Sequence, residues 1–474
     1  MSYLAIHPRA LLRDDLSRGR RPQALLNIPA GSKVEGLTPA EFSFLGKLTV
    51  PQPLEETLTA YAELKQLSRS AARERFFQRF IDKELVSLRE SESSGPPASR
   101  QEHLHIPFTL GAPQRPARTP LHVYLELTQA CNLKCFHCFS TAGGRLAVMP
   151  LELVKDLLAQ MDRLGVMSLT LSGGEPTLHP GFPAILDLVA HSRMGFVLLT
   201  NATRFQDREF LDRIIYYSHH VNREMTLGIS YDGISPETHD KVRGVAGSLE
   251  LTRGAIEYLT QNGFSKISLQ MMMCRHNLHE VEAVADWAAA RGLKRLILFD
   301  LLPLGQGVNC QEHLPTPAQE QWLLATALRL QARYRDRLQI RLPHYVRHFA
   351  QILSTGREES HPHRCLAGME EMAIRADGLA YPCSYIWNEE FCLGSVSDQT
   401  ILELWQSEKM NFFRGGYTVA DLRECSHCRV RLRCNIRDCR AIPIMLGDKL
   451  GPWPRCWKFN QVFQGVGDDA PRPQ

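Results

Sequence analysis

The chain has 474 residues, 44% hydrophobic and 22% charged, with a formal net charge of +4. That composition suits two or three globular domains, and so small a net charge gives no global argument for nucleic acid as a partner. The basic start (Arg9, Arg13, Arg18, Arg20, Arg21) is followed by no apolar run of signal-peptide length, and no stretch approaches a membrane span, so a cytoplasmic protein without membrane attachment is expected.

Residues 1–90 read as a small winged-helix-like module. Ala24 to Ile28 with the Gly31 turn suggests a short hairpin, and Thr38, Pro39, Ala40 and Glu41 form a capping-box pattern ahead of Phe42 and Leu45. Further helices are marked by Leu54, Leu58, Tyr61 and Leu64, and by Phe76, Phe77, Phe80 and Leu85. Residues 91–120 are rich in proline and polar groups and read as a linker. From 121 to 345, β-branched runs alternate with amphipathic helices. Strands are predicted at Val123–Leu127, Ser168–Ser172, Phe196–Thr200, Thr226–Tyr231, Lys266–Met271 and Leu296–Asp300, with a helix marked by Leu151, Val154, Leu158 and Met161 after the first. Such alternation requires a parallel sheet, here an open (β/α)6 barrel of the α/β class whose site lies at the C-terminal strand ends.

The chain holds thirteen cysteines, too many for a reducing compartment without a reason, and a disulfide scaffold does not suit a protein of this size. Ten of them fall into two groups with metal-like spacing. The first, Cys131, Cys135 and Cys138, has the spacing C-x3-C-x2-C on one short loop. Three thiolates leave one iron of a [4Fe–4S] cluster open to a small molecule, whereas a zinc site usually brings C-x2-C pairs and a fourth ligand. The second group runs Cys365, Cys383, Cys425, Cys428, Cys434, Cys439 and Cys456 across residues 346–474. Cys425, Cys428, Cys434 and Cys439 taken alone would also suit a zinc ribbon. Cys274, Cys310 and Cys392 lie outside both patterns and read as small buried apolar residues.

The first spacing resembles the signature of the radical S-adenosylmethionine (radical SAM) enzymes. The second resembles their SPASM extension, with four residues rather than three between Cys434 and Cys439 as the one departing interval. The resemblance implies that S-adenosylmethionine (AdoMet) chelates the open iron and is split to a 5′-deoxyadenosyl radical. It also implies two auxiliary [4Fe–4S] clusters, one on Cys365, Cys383 and Cys439 and the other on Cys425, Cys428, Cys434 and Cys456. The first lacks one ligand, for which Glu359, His361, His363 or an open iron are the alternatives. For AdoMet, the resemblance points to Glu175 in Ser172-Gly173-Gly174-Glu175-Pro176 as partner of the methionyl amine. It also points to Asn201 at the third strand end, Ser230 and Asp232 near the ribose, Arg243 near the carboxylate, and His137 with the backbone of Leu302 to Gly305 near adenine. Taken alone, Gly-Gly-Glu-Pro is a common turn, and plain turn chemistry would also explain the Asp232-Gly233 segment.

By layout the N-terminal module resembles the precursor-peptide recognition elements of enzymes that modify ribosomally made peptides. The expected activity is therefore oxidative modification of a residue in a peptide or small protein, with an electron donor such as flavodoxin or ferredoxin. Two alternatives are radical SAM chemistry in haem or quinone cofactor biosynthesis and a zinc-bearing winged-helix regulator.

Overall fold

The computed structural model describes residues 116–139, 146–222, 224–342, 365–428 and 439–453. Before these it describes 52–81, the segments 3–6, 12–16, 23–26 and 86–89, and positions 41, 44, 45 and 48. Calls on Gly31, Leu85, Glu359, His361, His363, Cys434 and Cys456, and on the linker as far as 115, lie outside the described residues.

In the N-terminal part, β1 (Tyr3–Ile6) lies between β4 (Gln52–Pro53) and β5 (Val86–Arg89), antiparallel to both. The hairpin pairs β2 (Leu12–Leu16) with β3 (Gln23–Leu26). It therefore forms upstream of the expected Gly31 turn, because the apolar Ala24 to Leu26 run serves as the second strand and not the first. Helix α1 (Leu54–Lys65) buries Leu54, Leu58 and Tyr61, and Ser68 caps α2 (Arg69–Phe76) by accepting from the Ala71 amide. Tyr61, Phe76 and Phe80 pack edge-on or tilted, with centroids 5.0–5.8 Å apart, in a hydrophobic cluster of their own.

All six predicted parallel strands form, with ends shifted by no more than two residues: β6 (His122–Glu126), β7 (Ser168–Ser172), β8 (Gly195–Thr200), β9 (Thr226–Ser230), β10 (Ile267–Met273) and β11 (Arg295–Asp300). They pair in sequential order, as short right-returning βα units favour. Val123, Leu125, Leu169 and Leu171 are fully buried against the helices, while His122 and Tyr124 on the alternate face are only partly covered. Helix α3 (Leu151–Leu164) carries the expected stripe and ends at Gly165 in the left-handed conformation.

Four more strands went unread in the sequence. β12 (Gln339–Arg341) extends the sheet beyond β11, and β13 (Glu371–Ile374) pairs parallel with β6, followed by β14 (Leu379–Tyr381) and β15 (Gly394–Ser395). The C-terminal part thus covers the edge that β6 would otherwise expose. Short strands of two to four residues carry too little periodicity to be read.

The final residues of the proline-rich stretch belong to this core. The Ala117 amide donates to Met369 O at 2.9 Å, and Thr119 Oγ1 donates to Leu164 O at 3.0 Å. The indole of Trp405, 1% exposed, donates to Ala117 O at 2.9 Å beneath the Arg414 guanidinium. Trp405→Ala is expected to destabilise the protein by about 3–5 kcal/mol by opening this seam. Trp405→Phe, which keeps the ring bulk, should lose only about 1–3 kcal/mol for the unsatisfied carbonyl. Denaturant unfolding of both variants measures the difference.

Candidate functional site

The cysteine loop leaves the C-terminal end of β6 and is gripped by the ends of four other strands. After β7, the amides of Gly174 and Glu175 donate to Thr128 O and Ala130 O, each at 2.8 Å. A Cβ at Gly174 would stand 2.4 Å from Ala130 O, so the glycine is required by the cysteine loop itself. After β8, Asn201 Nδ2 donates to Asn132 Oδ1 at 3.0 Å, and Asn132 Nδ2 donates to Thr203 Oγ1 at 2.7 Å. After β9, helix α4 (Pro236–Arg243) ends against the loop, and Lys134 N donates to Arg243 O at 3.0 Å. Its cap Gly244 has φ +72°, with Lys134 O 2.3 Å from where a Cβ would sit. After β11, Gln306 N donates to Cys138 O at 2.8 Å.

Cys131, Cys135 and Cys138 are thereby held half-buried and outside any disulfide. Burial, with the charges of Cys135, Glu175 and Cys138, pushes the Cys131 thiol up to about 11. A positive group stands beside the neighbouring Cys135. Arg243 Nη1 lies 3.7 Å from Cys135 Sγ, and Arg243 Nε lies 2.5 Å from Asp232 Oδ2. Burial pulls the guanidinium pKa down, but Asp232 and Cys135 outweigh it and hold the group charged.

Several residues expected at AdoMet have other partners. Glu175 is fully buried, and its carboxylate accepts from Thr177 N and Oγ1, Thr200 Oγ1 and Asn201 N. It ties the β7 end to the β8 end. Asp232 is also fully buried, engaged with Arg243 and accepting from Met272 N at 2.7 Å. Asn201 is spent on the Asn132–Thr203 clamp. His137 is 8% exposed, and burial followed by the Arg243 charge lowers its pKa well below the ordinary value, so its ring is neutral. Ser230 stays half-buried at the β9 end, opposite Gln270. The backbone of Gly305 packs on the Phe139 carbonyl, so this exit also serves the cysteine loop.

The C-terminal cysteines form a second cluster of groups. Cys365, Cys383 and Cys439 lie within one hydrophobic cluster. Burial pushes the Cys365 thiol up to about 12, with Cys439 the strongest neighbouring charge, and raises Cys383 well above its ordinary value. The Glu371 carboxylate adds to the upward push on both Cys365 and Cys383, and burial lifts its own carboxyl to about 7. Cys425 and Cys428 are buried, and the Cys428 amide donates to Cys425 O at 3.1 Å. Aromatic rings connect the two regions: Phe139, next to Cys138, lies 5.6 Å from both Tyr385 and Trp387, and Tyr385 follows Cys383 by two residues. Cys274 and Cys310 pack among Val242 and Leu301 as small apolar residues.

Asn132, Thr203, Glu371 and Tyr385 were missed by sequence reasoning. Only Asn132 and Tyr385 carried a signal, their closeness in sequence to a cysteine. Among the described residues no three His, Cys, Asp or Glu side chains converge as a single-ion site requires. A cubane does not ask this, since its three thiolates each bind a different iron. Three thiols on one clamped loop beside a buried guanidinium fit such a cluster.

The Radical SAM superfamily model matches residues 125–288, and the iron-sulfur cluster-binding SPASM domain model matches residues 365–434. The chain carries a radical SAM domain followed by a C-terminal SPASM domain. The family brings AdoMet and a [4Fe–4S] cluster to the first domain, and the second is an iron-sulfur binding domain. The SPASM match ends at 434, just before the departing interval. The chain is 28% identical over 370 residues to the mycofactocin maturase MftC of Mycobacterium ulcerans, covering 75% of this chain and 93% of that one. It is 27% identical to the AdoMet-dependent heme synthase of Methanosarcina barkeri, over 71% of this chain and 96% of that protein. In fold it is similar to Streptococcus suis SuiB bound to its precursor peptide SuiA, with a TM-score of 0.70 at 14% identity over 96% of this chain and 99% of that one. Among the described residues no helix is long and apolar enough to cross a membrane.

Two outcomes are expected of this radical SAM site. Asp232→Asn and Arg243→Gln should each destabilise the apoprotein by about 3–5 kcal/mol, and the double variant by clearly less than their sum, because each single change strands a buried partner. Urea unfolding of the four proteins tests the coupling; simple additivity would argue against it. Gly244→Ala should displace Lys134 and lower reconstituted iron by about four atoms, one cluster's worth. Iron and acid-labile sulfide analysis reads this loss, with far-ultraviolet circular dichroism checking that the fold persists.

Proposed function

We propose that this enzyme oxidatively modifies a residue of a ribosomally made peptide or small protein, through a cross-link or another loss of hydrogen. The observation that carries the proposal is the joining of a separate three-stranded N-terminal module to a chain with two cysteine sets. A relative named as a maturase and a structural neighbour holding a precursor peptide support it.

In this reading Cys131, Cys135 and Cys138 hold the cluster that engages AdoMet, and Arg243 supplies positive charge beside them. Glu175, Asn201 and Asp232 position that loop from behind, and Ser230 remains the candidate for the ribose. Cys365, Cys383 and Cys439 hold one auxiliary cluster, and Cys425 and Cys428, joined by Cys434 and Cys456, hold the other. When bound, AdoMet and the reduced cluster supply a 5′-deoxyadenosyl radical that abstracts a hydrogen, and the auxiliary clusters supply an acceptor for the electron that oxidation releases. The chain's own part is to hold these groups at one end of the sheet and to keep water from them. Phe139, Tyr385 and Trp387 form an apolar wall between the two cysteine sets. Flavodoxin or ferredoxin is the proposed donor, and the N-terminal module the proposed grip on the leader of the substrate.

A second reading, chemistry on a haem-type cofactor, is favoured by the heme synthase relative. Co-expression with a short peptide encoded beside this chain distinguishes the two. A peptide lighter by two hydrogens is expected, and removal of residues before Pro96 should abolish that change. An unaltered peptide, or full activity of the truncated enzyme, would argue against recognition through the module.

A further inference from the structure

The solvent side of the first cysteine loop carries positive charge that the activity proposed above does not use. Lys134 inside the loop, Lys241 in the last turn of α4 and Arg275 just past β10 are all exposed, and among the described residues none of the three is ion-paired. Contacts bring these segments to the same loop. A Cβ on Gly244, three residues after Lys241, would meet Lys134 Cβ at 3.1 Å. The Arg275 amide donates to His313 O at 2.9 Å, and its Nε donates to Leu314 O at 3.2 Å. The His313 ring lies 4.3 Å from the ring of Phe136, which stands between Cys135 and Cys138. His276 Nε2, 2.8 Å from His313 Nδ1, extends this row of half-buried rings. Carboxylates leave the charge in place. Asp240 on α4 accepts from Gly247 N, Ser248 Oγ and Leu249 N, and Glu312, 3.4 Å from His313 Nε2, is one charge against three. An aromatic centre with a charged rim is the anatomy of a protein interface.

We propose that this face docks an acidic electron-carrier protein, with the Phe136 and His313 rings at its centre and Lys134, Lys241 and Arg275 on its rim. This rests on the reading above in which Cys131, Cys135 and Cys138 hold the cluster that engages AdoMet and flavodoxin or ferredoxin is the donor. In the step it serves, the reduced carrier loses one electron and the oxidised cluster gains it, with no bond made or broken and no proton moved. Electron transfer weakens steeply with distance, so the carrier has to meet the protein where the cysteine loop reaches solvent, and the exposed Asn132 and Lys134 mark that place. Opposite charge speeds the encounter and orients the carrier. The competing route is entry through the C-terminal cysteine sets, which would leave these three cations without effect.

The test uses the anaerobically reconstituted full-length enzyme with an acidic flavodoxin and an acidic ferredoxin as probes. Binding of each oxidised carrier is read by calorimetry, and reduction of the AdoMet-engaging cluster by freeze-quench electron paramagnetic resonance, with iron and sulfide measured on every sample. Wild type should bind at least one carrier, more tightly at about 0.05 M than at about 0.5 M salt. The double variant Lys241→Glu, Arg275→Glu should weaken that binding and slow carrier-driven reduction by about tenfold or more at the lower salt. Reduction by dithionite, which needs no docking face, should stay within about threefold of wild type. Arg335→Glu makes the same kind of charge reversal ahead of β12, at the opposite end of the sheet, and should leave both readouts unchanged. A wild type that neither carrier binds nor reduces would overturn the donor assignment and this proposal together. Binding and reduction equal in wild type and the double variant, or an equal loss in Arg335→Glu, would overturn the proposal alone. Should the double variant fail to hold iron, Lys241→Gln and Arg275→Gln decide: each should weaken carrier binding by about threefold, and wild-type affinity in both would overturn the proposal.

Discussion

Everything at this site depends on the close approach of backbone to backbone around the cysteine loop. Peptide groups from the β7, β9 and β11 ends donate to the loop or accept from it, and the side chains of Asn201 and Thr203 clamp it after β8. Such contacts leave no room for a Cβ at Gly174 or Gly244. Loops this short move easily unless many hydrogen bonds over-determine them, and a cluster needs its thiolates held at fixed separations. The sheet supplies that rigidity, because each gripping group sits at the end of a strand whose other face is buried in the core.

Charge is the second constraint. The thiols of Cys131, Cys365 and Cys383 are all pushed upward by burial, so an empty site resists becoming thiolate. The protein answers with buried cations. Arg243, itself anchored by Asp232, stands at Cys135, and the buried Arg440 directly follows Cys439 in the chain. The Asp232 carboxylate compensates the buried Arg243 guanidinium and keeps it charged beside the Cys135 thiol.

The sheet joins the two cysteine regions into one frame. β13 pairs with β6, the strand that leads into the first cysteine loop, so Glu371 stands across from His122 and the C-terminal cysteines are fixed relative to it. Trp405 locks the same seam through the carbonyl of Ala117. The proline-rich composition of residues 91–120 hid that anchor, since an extended segment pinned by tertiary hydrogen bonds looks in sequence like a linker.

What the sequence determined by itself was whatever repeats locally. The six barrel strands and α3 follow from periodicity, and the two cysteine sets follow from spacing, because a loop of fixed length confines its thiols wherever it folds. Tertiary structure decided the partners. Glu175 and Asp232 are acidic residues at strand ends, and sequence alone would aim both at a ligand; only the fold shows that each is fully buried and bound to protein donors. The same holds for Asn132 against Asn201 and for Glu371 near Cys383. These contacts join residues far apart in the chain, and no local pattern encodes a distance that the packing of the sheet creates.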